Sequence, residues 1–482
     1  MEETNSLPIN INSIEIQEVS NPEQEKSSAQ ILKSLLTHIT AQSPHEAANI
    51  SDDKTLSEKD LVVITVDYVL QVAQENSWEM ARYHNSYYVY TGTHWKKLTE
   101  DELKGFLGKA AEKINIDKFL ARHFIFRNNL HSQFHDAGLF NPPMSDANET
   151  KINLANGTFV ITKESQYLKP WDPKDFMLYK LNFSYNPDAK APVFQKYLDR
   201  VLPDNSKQLV LSEYLGYVFI KNAVLKLEKA LILFGDGHNG KSVFFEVILK
   251  VLGSDNVCSF SLQSLTDTKG YHLSMLTGKL LNYASEISTK LDTPRFKQLV
   301  SGEPIEARQI YGKPFILENY ARMMFNTNVL PKDIEVNMGF FRRFILLHFD
   351  QTISEQEKDP NLANAIIENE LSGVFNWVLE GLKRLLAQGN FSKSAAIDNA
   401  LENYKLNSDT VYLFLEDANY RHSDDKKIQM KILYQDYKEY CTDSGYISCS
   451  SKTFGERLRY HQYEIDRKSV GRWVYIEKAN II

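Results

Sequence analysis

The chain has 482 residues and a mass of 55.5 kDa, room for about three domains, and its 43% hydrophobic and 24% charged content is that of a globular protein. No apolar run approaches the ~20 residues of a membrane-spanning helix. The acidic start Met1-Glu2-Glu3 lacks a signal pattern, and three cysteines (Cys258, Cys441, Cys449) exclude a disulfide scaffold or a four-cysteine zinc site and fit a reducing, cytoplasmic setting. The net charge of -7 lies in residues 1–60, which hold 4 Lys+Arg against 11 Asp+Glu, so the remainder is neutral and any nucleic-acid contact must use local basic patches.

In chain order, residues 1–60 are rich in Glu, Ser, Asn and Gln and contain no aromatic residue. They read as a mostly disordered acidic tail, with one amphipathic patch at Ile31–Leu36 able to form a helix. Residues 61–220 read as a mixed α/β accessory domain. Tyr87–Tyr90 and His94-Trp95 flank a glycine turn, Glu100–Ile114 is helical, Asn156-Gly157 marks a hairpin, and Phe194–Ile220 has helical periodicity. Residues 221–355 alternate strand and helix signals, which predicts a parallel α/β core. Residues 356–405 form an amphipathic helical segment, and residues 406–482 form a small domain of helices and strands.

The strongest local signal is Gly235-Asp236-Gly237-His238-Asn239-Gly240-Lys241-Ser242, followed by Val243. It satisfies the G-x-x-x-x-G-K-[ST] spacing of a phosphate loop, with an apolar strand run before it and an apolar helix run after it. Glycines let the backbone N–H groups curl toward phosphate oxygens. Lys241 would reach the β- and γ-phosphates of ATP, and the Ser242 hydroxyl would ligate Mg²⁺. An acid at the end of the next buried strand run, Glu286, would act as general base or water orienter, touching the metal through water. Asn328, chosen over Asn326, follows a third strand run and would sense the γ-phosphate; turn hydrogen bonds before Pro331 are the alternative. Arg342-Arg343 precedes a fourth run. Arg343, with Arg342 as rival, would be an arginine finger reaching a neighbouring subunit; a surface ion pair is the alternative.

Together these residues resemble the superfamily-3 helicases, in particular the primase-helicase group of phages, plasmids and poxviruses. Phe296–Arg308, between the second and third strand runs, is similar to that group's extra motif, and Thr327-Asn328 with Pro331 matches its sensor segment. The resemblance implies an AAA+-like P-loop core with a parallel sheet, preceded by the accessory domain and followed by the helical segment and a winged-helix-like domain. It implies an ATP hydrolase using ATP and Mg²⁺, and a hexameric ring moving 3′-to-5′ on single-stranded or forked DNA during replication of a phage or mobile element. It also implies a separate primase or replication protein as partner, since residues 1–60 are too short to be a primase. A pore hairpin is expected, with strands at Ile305–Ile310 and Pro314–Leu317 and Lys313 at its tip; Lys297 and Arg308 are further DNA-contact candidates, an ordinary surface hairpin being the alternative. In the last domain, residues 451–472 are locally basic, and Lys452, Arg457 and Arg459 are the candidates for duplex contact. A nucleotide-switched origin-binding or scaffold protein that does not translocate is the competing function.

Overall fold

A computed structural model of the chain describes residues 27–76, 80–83, 86–138, 148–285, 293–310, 312–328, 330, 338–468 and 471–479. They divide into two compact units, Met1–Pro143 with Asn153–Thr158 and Leu168–Tyr185, and Met144–Ile152 with Phe159–Tyr167 and Asn186–Ile482.

The first unit begins with helices α1 (Ser28–His38), α2 (Pro44–Ala48) and α3 (Glu58–Glu75). Helix α1 contains the Ile31–Leu36 patch expected to be helical, α2 and the start of α3 correct the expectation of disorder from there to residue 60, and residues 1–26 of the expected tail lie outside the described residues. Each helix opens with a reciprocal capping box: Ser27 with Gln30, Ser43 with Glu46, Ser57 with Asp60. In each, a serine hydroxyl accepts from the third backbone N–H while the third side chain accepts from the serine N–H. The Ser- and Glu-rich composition therefore marks helix starts. Leu32 and Leu35 of α1 join a core with Val62, Val66 and Val69 of α3. Strands β1 (Met80–Tyr83), β2 (Ser86–Tyr90) and β3 (Trp95–Leu98) form an antiparallel sheet. Helices α4 (Glu100–Lys113), α5 (Lys118–Arg122) and α6 (Phe124–Ala137) follow, with Phe106, Leu107, Phe126, Leu130 and Phe134 buried in the same core. Residues 150–169, assigned partly to each unit, form a sheet of β4 (Thr150–Leu154), β5 (Gly157–Ile161) and β6 (Gln166–Lys169), with the expected hairpin at Asn156-Gly157.

The second unit starts with α7 (Pro192–Val201) and α8 (Asn205–Tyr217). Every residue from Val210 to Tyr217 is buried, so α8 has no solvent face and is a core helix of this unit. Residues 186–220 thus stand with the parallel sheet, and the accessory boundary lies near 185 instead of 220. The five strands of that sheet are β7 (Ala230–Phe234), β8 (Val257–Cys258), β9 (Leu281–Ala284), β12 (Arg322–Thr327) and β13 (Phe344–His348). Their order is β13-β7-β12-β9-β8, and each adjacent pair is parallel. Between them run α9 (Lys241–Leu252), α10 (Leu262–Thr266), α11 (Tyr271–Ser274), α12 (Thr293–Ser301), the antiparallel hairpin β10 (Ile305–Arg308) and β11 (Pro314–Leu317), and α13 (Met338–Phe341). The chain leaves β7 toward one edge, returns to its side at β12, and crosses to its other side at β13. In an open parallel sheet such a reversal leaves a crevice at the carboxyl ends of the strands.

Helices α14 (Leu362–Asn369), α15 (Leu371–Gln388) and α16 (Ala395–Asn407) come next. Helix α15 crosses α8 at backbone contact: a Cβ on Gly381 would lie 2.3 Å from the Ser212 carbonyl carbon, and one on Gly216 would lie 2.7 Å from the Leu382 Cα. The fully buried Glu213 of α8 is held by Arg384 Nε at 2.6 Å and by the Ser392 backbone N–H at 2.8 Å. The chain ends in α17 (Thr410–Asp417), β14 (Tyr420–Gln429), α18 (Met430–Asp443), α19 (Ser451–Tyr460), β15 (Ile465–Lys468) and β16 (Gly471–Lys478). These strands form a sheet of order β14-β16-β15 around a core of Phe414, Leu433, Tyr437, Phe454 and Val474. Among the described residues no helix is long and apolar enough to cross a membrane.

Candidate functional site

Strand β7 is buried at Ala230 to Leu233 and delivers the chain to the crevice at Gly235. A Cβ on Gly235 would sit 2.3 Å from the Phe349 carbonyl oxygen, so only glycine allows the loop to pass β13 so closely. Gly240 has φ +85, and a Cβ there would lie 2.7 Å from Val201 Cγ1. The loop is held from outside its own sequence. Tyr197 Oη donates to the Gly240 carbonyl at 2.8 Å, Ile353 N–H donates to the His238 carbonyl at 2.7 Å, and Asn239 Nδ2 donates to the Phe349 carbonyl at 3.3 Å.

Gly240 is the N-cap of α9 and supplies no side-chain acceptor, so the first-turn N–H groups of this 12-residue helix face the loop uncapped by it. Lys241 opens the helix, is 7% exposed, and donates to the Gly235 carbonyl at 2.8 Å and to Asn239 Oδ1 at 3.0 Å. Burial lowers its pKa, and the nearby Asp236 carboxylate works against that. Ser242, one residue on, is exposed. The ammonium is parked on loop oxygens at the uncapped start of α9, where an anionic phosphate would compete for it. The loop therefore fits a nucleotide phosphate. For a metal, Ser242 is the only hydroxyl the motif provides, and the described residues contain no cluster of three His, Cys, Asp or Glu.

The facing wall is β12. Its register puts Thr327 opposite Phe234, so Asn328 stands level with the first residue of the loop. Asn328 is exposed, whereas Asn326 Oδ1 accepts from Tyr283 Oη at 2.9 Å. Tyr283 meets the α9 ring of Phe245 edge-on at 4.7 Å. Strand β9 ends beside β12 at the same edge, with Ser285 following; Glu286 and Pro331 lie outside the described residues. Two more groups stand at this edge that sequence reasoning missed. The His348 ring stacks on Phe234 at 4.4 Å, and Lys207 of α8 donates to Asp350 at 2.8 Å. Burial pushes the His348 pKa down. Neither lies in a local motif, so only the fold brings them to the loop.

The two arginines part company. The register Phe344↔Ala230 to His348↔Phe234 sets them at the opposite end of β7 from the loop, with Arg343 about 20 Å from Gly235 at ~3.3 Å per residue. Arg343 is buried, 8% exposed, and spends its guanidinium on Ser301 Oγ (2.9 and 3.2 Å), the Gly339 carbonyl (2.5 Å) and Glu228 (3.5 Å). The Arg342 side chain is 64% exposed and, among the described residues, pairs with Glu228 at 3.2 Å. The preference for Arg343 as the outward-reaching finger is thus corrected: its burial and hydrogen bonds commit it to the fold, and Arg342 is the outward one.

The hairpin expected near residue 310 is present. Lys313 is exposed at its tip, Tyr311 lies outside the described residues, and Ile310 and Ile316 are 68% and 61% exposed. Arg308 Nε donates to the Gly312 carbonyl at 3.0 Å and so braces the turn. Lys297 is half-buried on α12.

On α19, Phe454, Gly455 and Leu458 face the core while Lys452 and Arg459 point out. Arg457 does not join them: it bonds Asp409 Oδ1 at 3.1 Å with its side chain 16% exposed, which removes it from the candidate contact face. At the far end of the sheet, Arg467 and Arg472 are exposed and directly paired.

Asp409 is the N-cap of α17 and also pairs with His461 at 2.8 Å. Burial opposes its ionisation, but the His461 and Arg457 contacts outweigh burial and hold the carboxyl below its ordinary range. With a folded pKa below the unfolded one, this stabilisation is complete above about pH 4 and vanishes as pH falls through the folded value. Asp409→Asn keeps a capping oxygen and removes the charge. Denaturant unfolding of this segment at pH 7 is expected to show a loss of about 1–3 kcal/mol, shrinking toward zero in acid. A gap that stays constant down to pH 3 would assign the loss to packing.

Comparison with known proteins gives three family matches. Residues 73–203 match the family described as D5 N terminal like, residues 406–480 match Poxvirus D5 protein-like, and residues 233–343 match a family of unknown function (DUF5906). Two of the three matched families are thus D5-like, one near each end of the chain. Among solved structures, the chain is similar to the A form apo structure of the NrS-1 C terminal region, at 15% identity over 85% of this chain and 98% of that one, with a TM-score of 0.48. An apo structure of the NrS-1 C terminal region (305-718) aligns at 12% identity over the same shares, with a TM-score of 0.44.

Proposed function

We propose that this chain is the motor subunit of an ATP-driven DNA helicase of superfamily 3, with an AAA+-like core that works as a hexameric ring on single-stranded or forked DNA, 3′-to-5′. The observation that carries this reading is the split of the cationic groups across the sheet. Lys241 sits in the glycine loop at the carboxyl end of β7, and Arg342 stands exposed at the opposite end. A subunit built this way cannot bring its own Arg342 to its own loop. A ring in which each subunit lends Arg342 to its neighbour satisfies both ends at once.

Within one site, Lys241 leaves the Gly235 carbonyl and Asn239 and binds the β- and γ-phosphates of ATP. Ser242 offers its hydroxyl to Mg²⁺, which neutralises phosphate charge when bound. Asn328 orients the attacking water at the γ-phosphate, and Glu286 takes its proton. Arg342 from the next subunit stabilises the charge developing on the transferred group. Lys313 at the hairpin tip, with Lys297 behind it, holds the DNA backbone without reading bases. Lys452 and Arg459, with the Arg467–Arg472 pair, make the winged-helix-like end a duplex-docking surface. A separate primase is the expected partner.

ATP hydrolysis measured with and without short single-stranded DNA, alongside unwinding of a forked substrate, tests the reading. A motor gives hydrolysis that rises steeply with single strands, and unwinding that needs ATP. The exposed basic face at the C-terminal end favours one other reading, a nucleotide-switched duplex binder. Its signature is hydrolysis indifferent to single strands and tight binding to one duplex sequence.

A further inference from the structure

The chain has 26 phenylalanines, and among the described residues only two are exposed: Phe119 at 75% and Phe124 at 66%. They lie five residues apart across the bend where α5 ends and α6 begins, in the first unit. Exposing two large rings so close together costs solvation that burial elsewhere avoids, so they call for an occupant.

The chemistry around the rings says which. The Lys118 ammonium lies 5.1 Å from the Phe119 ring centre. Arg122 reaches back to Glu112 on α4 at 2.8 Å, which brings the last turns of α4 against this bend. Lys109, three residues before Glu112 and four before Lys113, stands at the spacings that put side chains side by side, and both lysines are exposed. Two carboxylates at this bend are already engaged: Glu112 holds Arg122, which keeps its carboxyl below the ordinary range, and Asp117 caps α5 by accepting from the Phe119 and Leu120 N–H groups at 3.0 Å. The result is two solvent-exposed rings, Phe119 beneath the Lys118 ammonium and Phe124 beside the His123 ring, with the exposed Lys109 and Lys113 on the neighbouring helix α4, on a chain whose mean charge is negative. Protein interfaces enrich aromatics but deplete lysine. Rings for stacking combined with flexible cations for phosphate are what a single-stranded polynucleotide requires.

We propose that the α4–α5–α6 bend is a single-stranded DNA binding site on the first unit, where bases stack on Phe119 and Phe124 and the surrounding cations hold the phosphates. It needs no nucleotide and does not depend on the glycine loop or the hairpin. A loading platform of this kind would capture single strands before any motor engages them.

The test is fluorescence with a dT oligonucleotide and no ATP, on the full chain. In Phe119→Trp protein, emission from the new indole is expected to be quenched by the oligonucleotide, and quenching is expected to persist in Lys313→Ala and Lys241→Ala backgrounds. The Phe119→Ala/Phe124→Ala double variant is expected to bind at least about tenfold more weakly. Lys118→Glu is expected to reduce the salt dependence of binding by about one phosphate's worth. Because both rings are exposed, the thermal unfolding midpoint should not move, which separates lost binding from lost fold. An unquenched indole, or an affinity unchanged by the double substitution, overturns the proposal and leaves a protein partner as the occupant of the rings. Loss of quenching in the Lys313→Ala protein alone would assign the binding to the hairpin and overturn it equally.

Discussion

Arg342→Ala is expected to leave the fold intact and reduce DNA-stimulated ATP hydrolysis by about 10³–10⁵-fold, the range for an arginine supplied to a phosphoryl transfer from outside. The fold should survive because the side chain is 64% exposed and its ion pair with Glu228 lies at the surface, where such pairs contribute within about 1 kcal/mol. Arg343→Ala should behave in the opposite manner. It removes a buried guanidinium from Ser301, Gly339 and Glu228, so it is expected to destabilise the protein by about 3 kcal/mol or more. The decisive measurement mixes subunits. Arg342→Ala chains keep a good Lys241, and Lys241→Ala chains keep a good Arg342. Equimolar random mixing should restore roughly a quarter of the interfaces of a closed ring. A mixture as inactive as its components, or an Arg342→Ala protein with normal turnover, would remove the shared site.

Lys241→Ala should abolish turnover, by at least about 10³-fold, since it deletes the charge aimed at the transferred phosphate. The ammonium is buried against loop oxygens, and its pKa is lowered because burial disfavours the charge. Its removal therefore relieves a desolvation cost, and the thermal unfolding midpoint should not fall. The readouts are hydrolysis with single-stranded DNA, unwinding of a fork, and the unfolding midpoint in one preparation. A variant that hydrolyses ATP normally would show that the loop does not serve nucleotide chemistry.

The differences between what the residues announced and what the fold contains have physical causes. The glycine loop was legible because its parts are contiguous and each has one reason to be there. The hairpins at Asn156-Gly157 and near Lys313 were legible for the same reason, as their turns and strands lie within a few residues. Between Ser28 and Ala48, the Ile31–Leu36 patch announced α1, but its full extent and helix α2 were not legible, because composition averages over position. The same serines and glutamates that lower mean hydropathy are the caps that start each helix. Helix α8 was placed with the wrong domain because its neighbour α15 lies more than 150 residues downstream, and no local pattern records that Gly216 and Gly381 let the two backbones touch.

By itself the chain's order of residues determined the strand–loop–helix at 230–252, the strand preceding Asn328, the Lys313 hairpin and the basic α19, since each is set by short-range periodicity, turn chemistry or charge. Tertiary structure alone decided which neighbour in a pair is free to act. Arg342 and Arg343 are chemically alike, as are Arg457 and Arg459, and what separates them is whether a distant partner such as Ser301 or Asp409 has already taken the guanidinium. Desolvation makes that choice: a buried cation must be paired within its own fold, and only the one left in water can reach for something else.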